Sequence, residues 1–434
     1  TTGSVQEQAD VAGTVTDVTP EDLQGTTIEF AHFFGECADT VGDSTDPAAM
    51  VGECPTLTAL TNRFNKENEY GITVNRLGGA AWDTYYDQLN TAIAGGTPPD
   101  VAVMHGASIS DYAQRSLLNP LDELTEVTGV DLSDALPVEQ EAISYEDQAY
   151  ALPYDVHAAL AHVNVDLFRE AGMVDEAGAP VMPSSPEEFV TAAQTMKEKT
   201  GKNFIAIPRV GDGLGWQMVH SLIMQQGSAV LNEDLTEANL DTPEARTAIE
   251  FVTSLFDEGY ADGDQTYDAA SQSFLNGDAA VLFNGTWVVD NYNAEAPFEY
   301  VATNFPTLYD EPAVWSNQHM WTIPVQQDAD PVQYRAALEF ISYLYENNAA
   351  WALGTGHIAS RTSVIESPEY DAAPQRANYA ETGLTNARTL PRISNWPSVE
   401  ETLIQTVESI WFQDTPVDQA LQEGTASINS ALQD

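Results

Sequence analysis

The 434-residue chain carries 67 Asp and Glu against 15 Lys and Arg, a formal charge of −52 at pH 7. Such a surface repels phosphate backbones and anionic lipids, which excludes a nucleic-acid binder, and no apolar run approaches the roughly 18 residues of a membrane-spanning helix. Hydrophobic residues still make up 43% of the chain, so it packs a core rather than trailing as an acidic disordered tail, and its length predicts two domains.

Acid on this scale self-repels unless salt screens it, with a Debye length of about 3 Å at 1 M. The chain therefore reads either as salt-adapted, working in a saline exterior, or as an ordinary acidic secreted protein. The opening TTGSVQEQAD reads as a mature N-terminus after processing or cloning. Residues 1–25, poor in apolar side chains, read as a flexible tether. Residues 26–34, TTIEFAHFF, form the first strand and run into a polar loop bracketed by Cys37 and Cys54. Two cysteines around one such loop predict a disulfide in an oxidising compartment, stabilising by roughly 3 kcal/mol.

Leu57, Leu60 and Phe64 give a helix face, residues 72–76 a second strand, and Trp82, Tyr85, Tyr86, Leu89 and Ile93 a second helix stopped by Gly95-Gly96. Residues 101–104 are a buried strand, which completes a βαβ unit and predicts a parallel sheet. Ser185-Pro186-Glu187-Glu188 is a capping box with Pro at the first helical position. The GDGLGW stretch, residues 211–216, lacks the strand and Lys of a phosphate-cradling loop and reads as flexible, with Trp216 exposed after three glycines. Thr242-Pro243 opens a helix with Ala248, Phe251, Val252, Leu255 and Phe256 facing inward. Residues 274–287, FLNGDAAVLFNGTW, read as a helix end at Asn276-Gly277, a buried strand over 279–283 and a turn at Asn284-Gly285. Thr286 then caps a helix beside Trp287. Residues 300–306 and 320–324 read as strands returning to the first domain, and Ala337, Phe340, Ile341, Leu344 and Tyr345 as one face of an amphipathic helix.

Several of these stretches, spread from about residue 26 to residue 363, resemble the extracellular solute-binding proteins that serve ATP-driven sugar importers, oligosaccharide-binding branch. Residues 274–287 are similar to that family's F-x-x-G-x-A-A-M-x-x-x-G-x-W, with Val281 in place of Met. Residues 82–104 (WDTYYDQLNTAIAGGTPPDVAVM), 112–121 (YAQRSLLNPL, Ser116 for the usual Gly) and 148–168 (QAYALPYDVHAALAHVNVDLF) follow in the family's order. So do residues 354–363 (GTGHIASRTS), with Ala359 for Pro. The resemblance implies an α/β, two-lobed periplasmic-binding-protein-like fold. Each lobe is then a mostly parallel sheet flanked by helices, and a hinge joins the two. Lobe 1 would comprise residues 26–157 plus 301–346, and lobe 2 residues 158–300 plus 347–434. It further implies a non-enzymatic monomer, periplasmic or extracellular, that binds a carbohydrate and delivers it to the membrane permease subunits of an ABC importer, without a cofactor.

Sugars suit aromatic rings and a few polar groups on loops at strand ends, since pyranose CH faces pack on flat rings while hydroxyls need paired partners. Trp82, Tyr154, Trp216, Trp287 and Trp321 sit beside turn or loop residues and are candidate stacking partners, each with a plain packing role as the alternative. Asp83, Asp155 and Glu36 are candidate acceptors for sugar hydroxyls, or else caps and solvated charges. His105, His319 and Asn284 are candidate hydrogen-bonding groups, and Arg361 stands out because cations are scarce. The seven histidines show no metal signature, and His157 and His162, five apart, do not point together. Two alternatives stand beside the sugar reading. One is a glycerol-phosphate ester or anionic sugar held by Arg361 and His319. The other is a secreted glycoside hydrolase or lyase using Asp83 and Asp155.

Overall fold

The computed structural model describes residues 14–78 and 81–433, apart from the side chains of Trp82 and Asp83. The chain divides into two compact units, Thr1–His157 with Asn317–Asp371 and Ala158–Ser316 with Ala372–Asp434. The chain leaves the second unit only after Ser316, not near residue 300, and leaves the first again only after Asp371, not near residue 346.

Within residues 14–25 the expected tether packs. Thr19 closes a capping box over helix Pro20–Leu23, and Val15 and Leu23 are buried in the first unit's core. Two apolar side chains suffice to anchor an otherwise polar stretch. Cys37 and Cys54 are bonded to each other. Strand Thr27–Ala31 pairs in parallel with Thr73–Leu77 and with Val101–His105. Val101–His105 in turn pairs antiparallel with Val314–Thr322, from His319 opposite His105 to Thr322 opposite Ala102. Ile358–Ala359 pairs antiparallel with Val156 and Asp155. Helix Glu53–Glu67 buries Leu57, Leu60 and Phe64 against this core, and helix Pro331–Glu346 buries Ala337, Phe340, Ile341, Leu344 and Tyr345.

In the second unit, Asn203–Ala206 runs parallel to Ala279–Gly285. That strand and Tyr300–Asn304 both pair antiparallel with the 159–164 part of Leu152–Asn164. The expected mostly parallel sheets are therefore mixed. In the first unit the antiparallel member is Val314–Thr322 against Val101–His105; in the second it is Leu152–Asn164, a 13-residue strand buried throughout, whose partners return against its direction, and residues 300–304 pair there rather than in the first unit. Ser185 accepts the Glu188 N–H at 3.1 Å, but Glu188 turns back to Ser184 rather than closing the box on Ser185. Thr242 caps helix Pro243–Asp257, whose inward face is Ala245, Ala248, Ile249, Val252 and Leu255, with Phe251 and Phe256 only partly buried.

Candidate functional site

Register brings the first unit's histidines together. His105 ends its strand opposite His319, and Asp155 and His157, two residues apart, share one face of theirs. Asp155 is fully buried and accepts four hydrogen bonds. Trp351 Nε1–H (2.7 Å) and His319 Nδ1–H (2.8 Å) reach Oδ2, while His157 Nδ1–H (3.3 Å) and the His319 backbone N–H (3.4 Å) reach Oδ1. A carboxylate only accepts, so these pairings fix the tautomers of both rings. Burial opposes the charge of Asp155, but His319, His357 and His157 overcome it and hold the carboxyl well below the usual carboxylate range.

The His157 and His319 rings stack with centroids 4.2 Å apart. The His105 ring stacks on Phe33 at 4.7 Å, with Nδ1 2.9 Å from the Tyr86 hydroxyl, which also accepts the His105 backbone N–H. Burial lowers His157 to about 4 and His105 well below the usual imidazole value, so both are neutral at pH 7. Beside them His357 Nε2 meets Glu53 Oε1 at 2.7 Å. Among the described residues, His105, His157 and His319 each offer a ring nitrogen within 4.8 Å of the other two, and Glu53, His319 and His357 form a second such group. Glu139 is fully buried, its carboxyl oxygens have no hydrogen-bond partner among the described residues, and burial pushes its carboxyl well above the usual carboxylate range.

In the second unit, helix Tyr267–Leu275 stops at Asn276 and Gly277, the latter at φ 75°, and strand Ala279–Gly285 follows with every residue buried. The strand runs on through Asn284 and Gly285, later than the expected turn. A single 3-10 turn, Thr286–Val288, then leads into helix Val289–Glu295, so the N-cap position of that helix is Val288 rather than the expected Thr286. Trp287 lies in that turn, partly exposed. Its Nε1–H donates to the Tyr267 hydroxyl at 3.0 Å, and its six-membered ring lies over Gly285, where a Cβ would come within 2.1 Å. Only glycine permits that approach. Asn284 Oδ1 accepts the Gly285 N–H at 2.8 Å. From below, His162 Nε2–H donates to the Gly285 carbonyl (3.1 Å) and Nδ1 accepts from Tyr300 (2.7 Å), and burial lowers the ring to about 4. The result is an indole of fixed orientation carried on a rigid strand end.

A model of the bacterial extracellular solute-binding protein family matches residues 59–378, well over half of the chain. The chain belongs to that family. One relative is the sn-glycerol-3-phosphate-binding periplasmic protein of Pectobacterium atrosepticum, 23% identical over 420 residues that cover 88% of this chain and 90% of the relative. Among solved structures, the cyclic α-maltosyl-1,6-maltose binding protein of Arthrobacter globiformis superposes with a TM-score of 0.76. It is 21% identical, and the match covers 94% of this chain and 99% of that one. UgpB of Mycobacterium tuberculosis, solved with glycerophosphocholine, gives the same TM-score, identity and coverage. The fold is thus the α/β fold of these binding proteins. Among the described residues no helix is long and apolar enough to cross a membrane.

Within this solute-binding chain the residues chosen from sequence divide. Asn284 lies near the end of strand Ala279–Gly285 and Trp287 in the turn that follows it. Asp155, His105 and His319 meet in a network that uses every Asp155 hydrogen-bonding direction internally, so Asp155 is closed to a sugar hydroxyl and to acid–base work. Tyr154 and Trp321 are fully buried against each other, with ring centroids 4.6 Å apart, and Tyr154 stacks on Trp351 at 4.5 Å. They are core residues. Trp216 is fully buried in helix Leu214–Gln225, stacked on His220 at 5.2 Å. The glycines before it do not expose it, and Gly215 serves the close approach of Trp411. Arg361 donates to Asp134 at 2.9 Å and lies over the Tyr345 ring at 5.2 Å, neutralising a local carboxylate. Glu36 is exposed beside Gly78. Trp82 and Asp83 lie outside the described side chains. Sequence reasoning missed His157, His357, Glu53, Tyr86, Trp351 and Tyr267. The spacing of Asp155 and His157 on one strand face was a usable signal, whereas the others meet only through pairing register.

Proposed function

We propose that this chain captures a neutral carbohydrate outside the cytoplasm and hands it to the permease of an ABC importer. Trp287 carries the reading. It is a partly exposed indole, pinned by Tyr267 and Gly285, and such a ring packs against the CH face of a pyranose. The cation that an anionic ligand would need, Arg361, is already paired with Asp134, which favours an uncharged solute. The Arthrobacter protein, named for a cyclic maltosyl-maltose, supports the sugar class. The disulfide supports an oxidising exterior. Binding needs no reaction at the solute, and the chain acts as a monomeric carrier.

The test is calorimetric titration with a panel of linear and cyclic maltooligosaccharides, sn-glycerol-3-phosphate and glycerophosphocholine. Saturable binding of a sugar is expected, weakened about 30- to 1000-fold in Trp287→Ala, as loss of an aromatic hot spot worth about 2–4 kcal/mol implies. Binding of the phosphate esters alone would replace the sugar reading with the anionic one. Sugar binding indifferent to Trp287→Ala would remove this residue from the site.

A further inference from the structure

We infer that His105, His157 and His319 form a binding site for a divalent transition-metal ion of the zinc class, lying wholly within the first unit. The inference is independent of the solute reading. Three imidazoles already present ring nitrogens within 4.8 Å of one another. At Zn–N distances of about 2.0–2.1 Å, tetrahedral ligand nitrogens stand roughly 3.3 Å apart, so ring rotations of about an ångström close the set.

The surroundings are those that metal-binding imidazoles require. Such a ring donates its second nitrogen to a carboxylate or another oxygen, which fixes the tautomer and aims the coordinating nitrogen. Asp155 does this for two rings at once, through Nδ1 of His319 at 2.8 Å and of His157 at 3.3 Å, while Trp351 holds the carboxylate from the other side at 2.7 Å. The Tyr86 hydroxyl plays the same part for His105, 2.9 Å from Nδ1, and accepts Nδ1–H when the ring is coordinated. Three ligands leave a fourth position for water or a solute oxygen. The neighbouring group of Glu53, His319 and His357 is the weaker candidate, because Glu53 and His357 already satisfy each other at 2.7 Å.

Imidazole sets of this kind suit Zn²⁺, Co²⁺, Ni²⁺ and Cu²⁺, whereas carboxylates suit Mg²⁺ and Ca²⁺. That contrast separates the site from the 67 acidic residues of the chain, which attract any cation weakly. The full chain is stripped with a chelator, dialysed into about 2 M NaCl with excess Mg²⁺ to screen and occupy the acidic surface, and titrated with Co²⁺ and Zn²⁺. One tightly bound ion per chain is expected, with visible Co²⁺ absorption bands typical of four-coordinate nitrogen ligation. His105→Gln and His319→Gln should each weaken binding by about tenfold or more, and Glu53→Gln should leave it unchanged. Circular dichroism and melting confirm that each variant is folded. If His319→Gln fails to fold, the partly exposed His105 decides alone. Absence of a single saturable site overturns the proposal, as does binding unaffected by His105→Gln or abolished by Glu53→Gln.

Discussion

Asp155→Asn tests whether the buried carboxylate is a structural hub or a solute contact. The native carboxylate accepts two short hydrogen bonds at Oδ2, from Trp351 and His319, and two long ones at Oδ1, from His157 and the His319 backbone. An asparagine oriented to keep its oxygen on Trp351 and His319 turns its NH₂ towards His157 and the His319 N–H. His157 can accept by changing tautomer, but the backbone N–H cannot, and one buried donor loses its partner at about 1–3 kcal/mol. The retained bonds lose their charge assistance, roughly half their strength. The sum is a loss of about 2–4 kcal/mol, or about 4–16 °C in Tm at roughly 2–4 °C per kcal/mol for units of this size. Denaturant unfolding at fixed salt and pH 7, beside solute affinity on the same protein, reads both quantities. An unchanged midpoint with an abolished solute affinity would refute the hub and restore Asp155 as a binding residue.

Three further outcomes follow from the same structure. Glu139 has a folded pKa raised above its unfolded value, so it costs stability once pH exceeds the unfolded value. Glu139→Gln should therefore raise the Tm at pH 7–8 and give no gain at pH 4, and a gain independent of pH would contradict a buried titrating acid. His162 and His220 are each lowered to about 4 from 6.5 by burial, so their stabilisation is complete above 6.5 and lost as pH falls towards 4, by up to roughly 3 kcal/mol each. Unfolding of wild type and His162→Gln at pH 7.5 and 4.5 should show a smaller acid loss in the variant, and equal losses would refute the assignment. Salt should stabilise the fold, because counter-ions relieve repulsion under a charge of −52. Melting from low salt to about 2 M NaCl, with sulfate as the salting-out control, checks this, and a flat NaCl response would mean that the acid is already well dispersed.

Local chemistry in the sequence determined a large share of the fold. The caps at Ser185 and Thr242, the helix stop at Asn276-Gly277, the buried strand over 279–283 and the inward face of Pro331–Glu346 all depend on neighbours within one or two turns. The pairing of Cys37 with Cys54 was equally legible, since two cysteines allow one intramolecular bond. The family resemblance carried the solute-binding reading because motif order survives where single residues drift.

Tertiary structure alone decided which aromatic and charged side chains have an open face. Trp216, Trp321 and Tyr154 lie beside glycines and loop residues in the chain but inside packed rings in space, and Trp287 stays partly open. A strand's sequence gives its side-chain alternation, not its partner. The antiparallel register that sets His105 against His319 joins residues more than two hundred positions apart, and Asp155 and His357 arrive from still other strands and loops. No local periodicity encodes that meeting. It comes from the competition among long-range strand pairings, which is settled by what the whole core can bury.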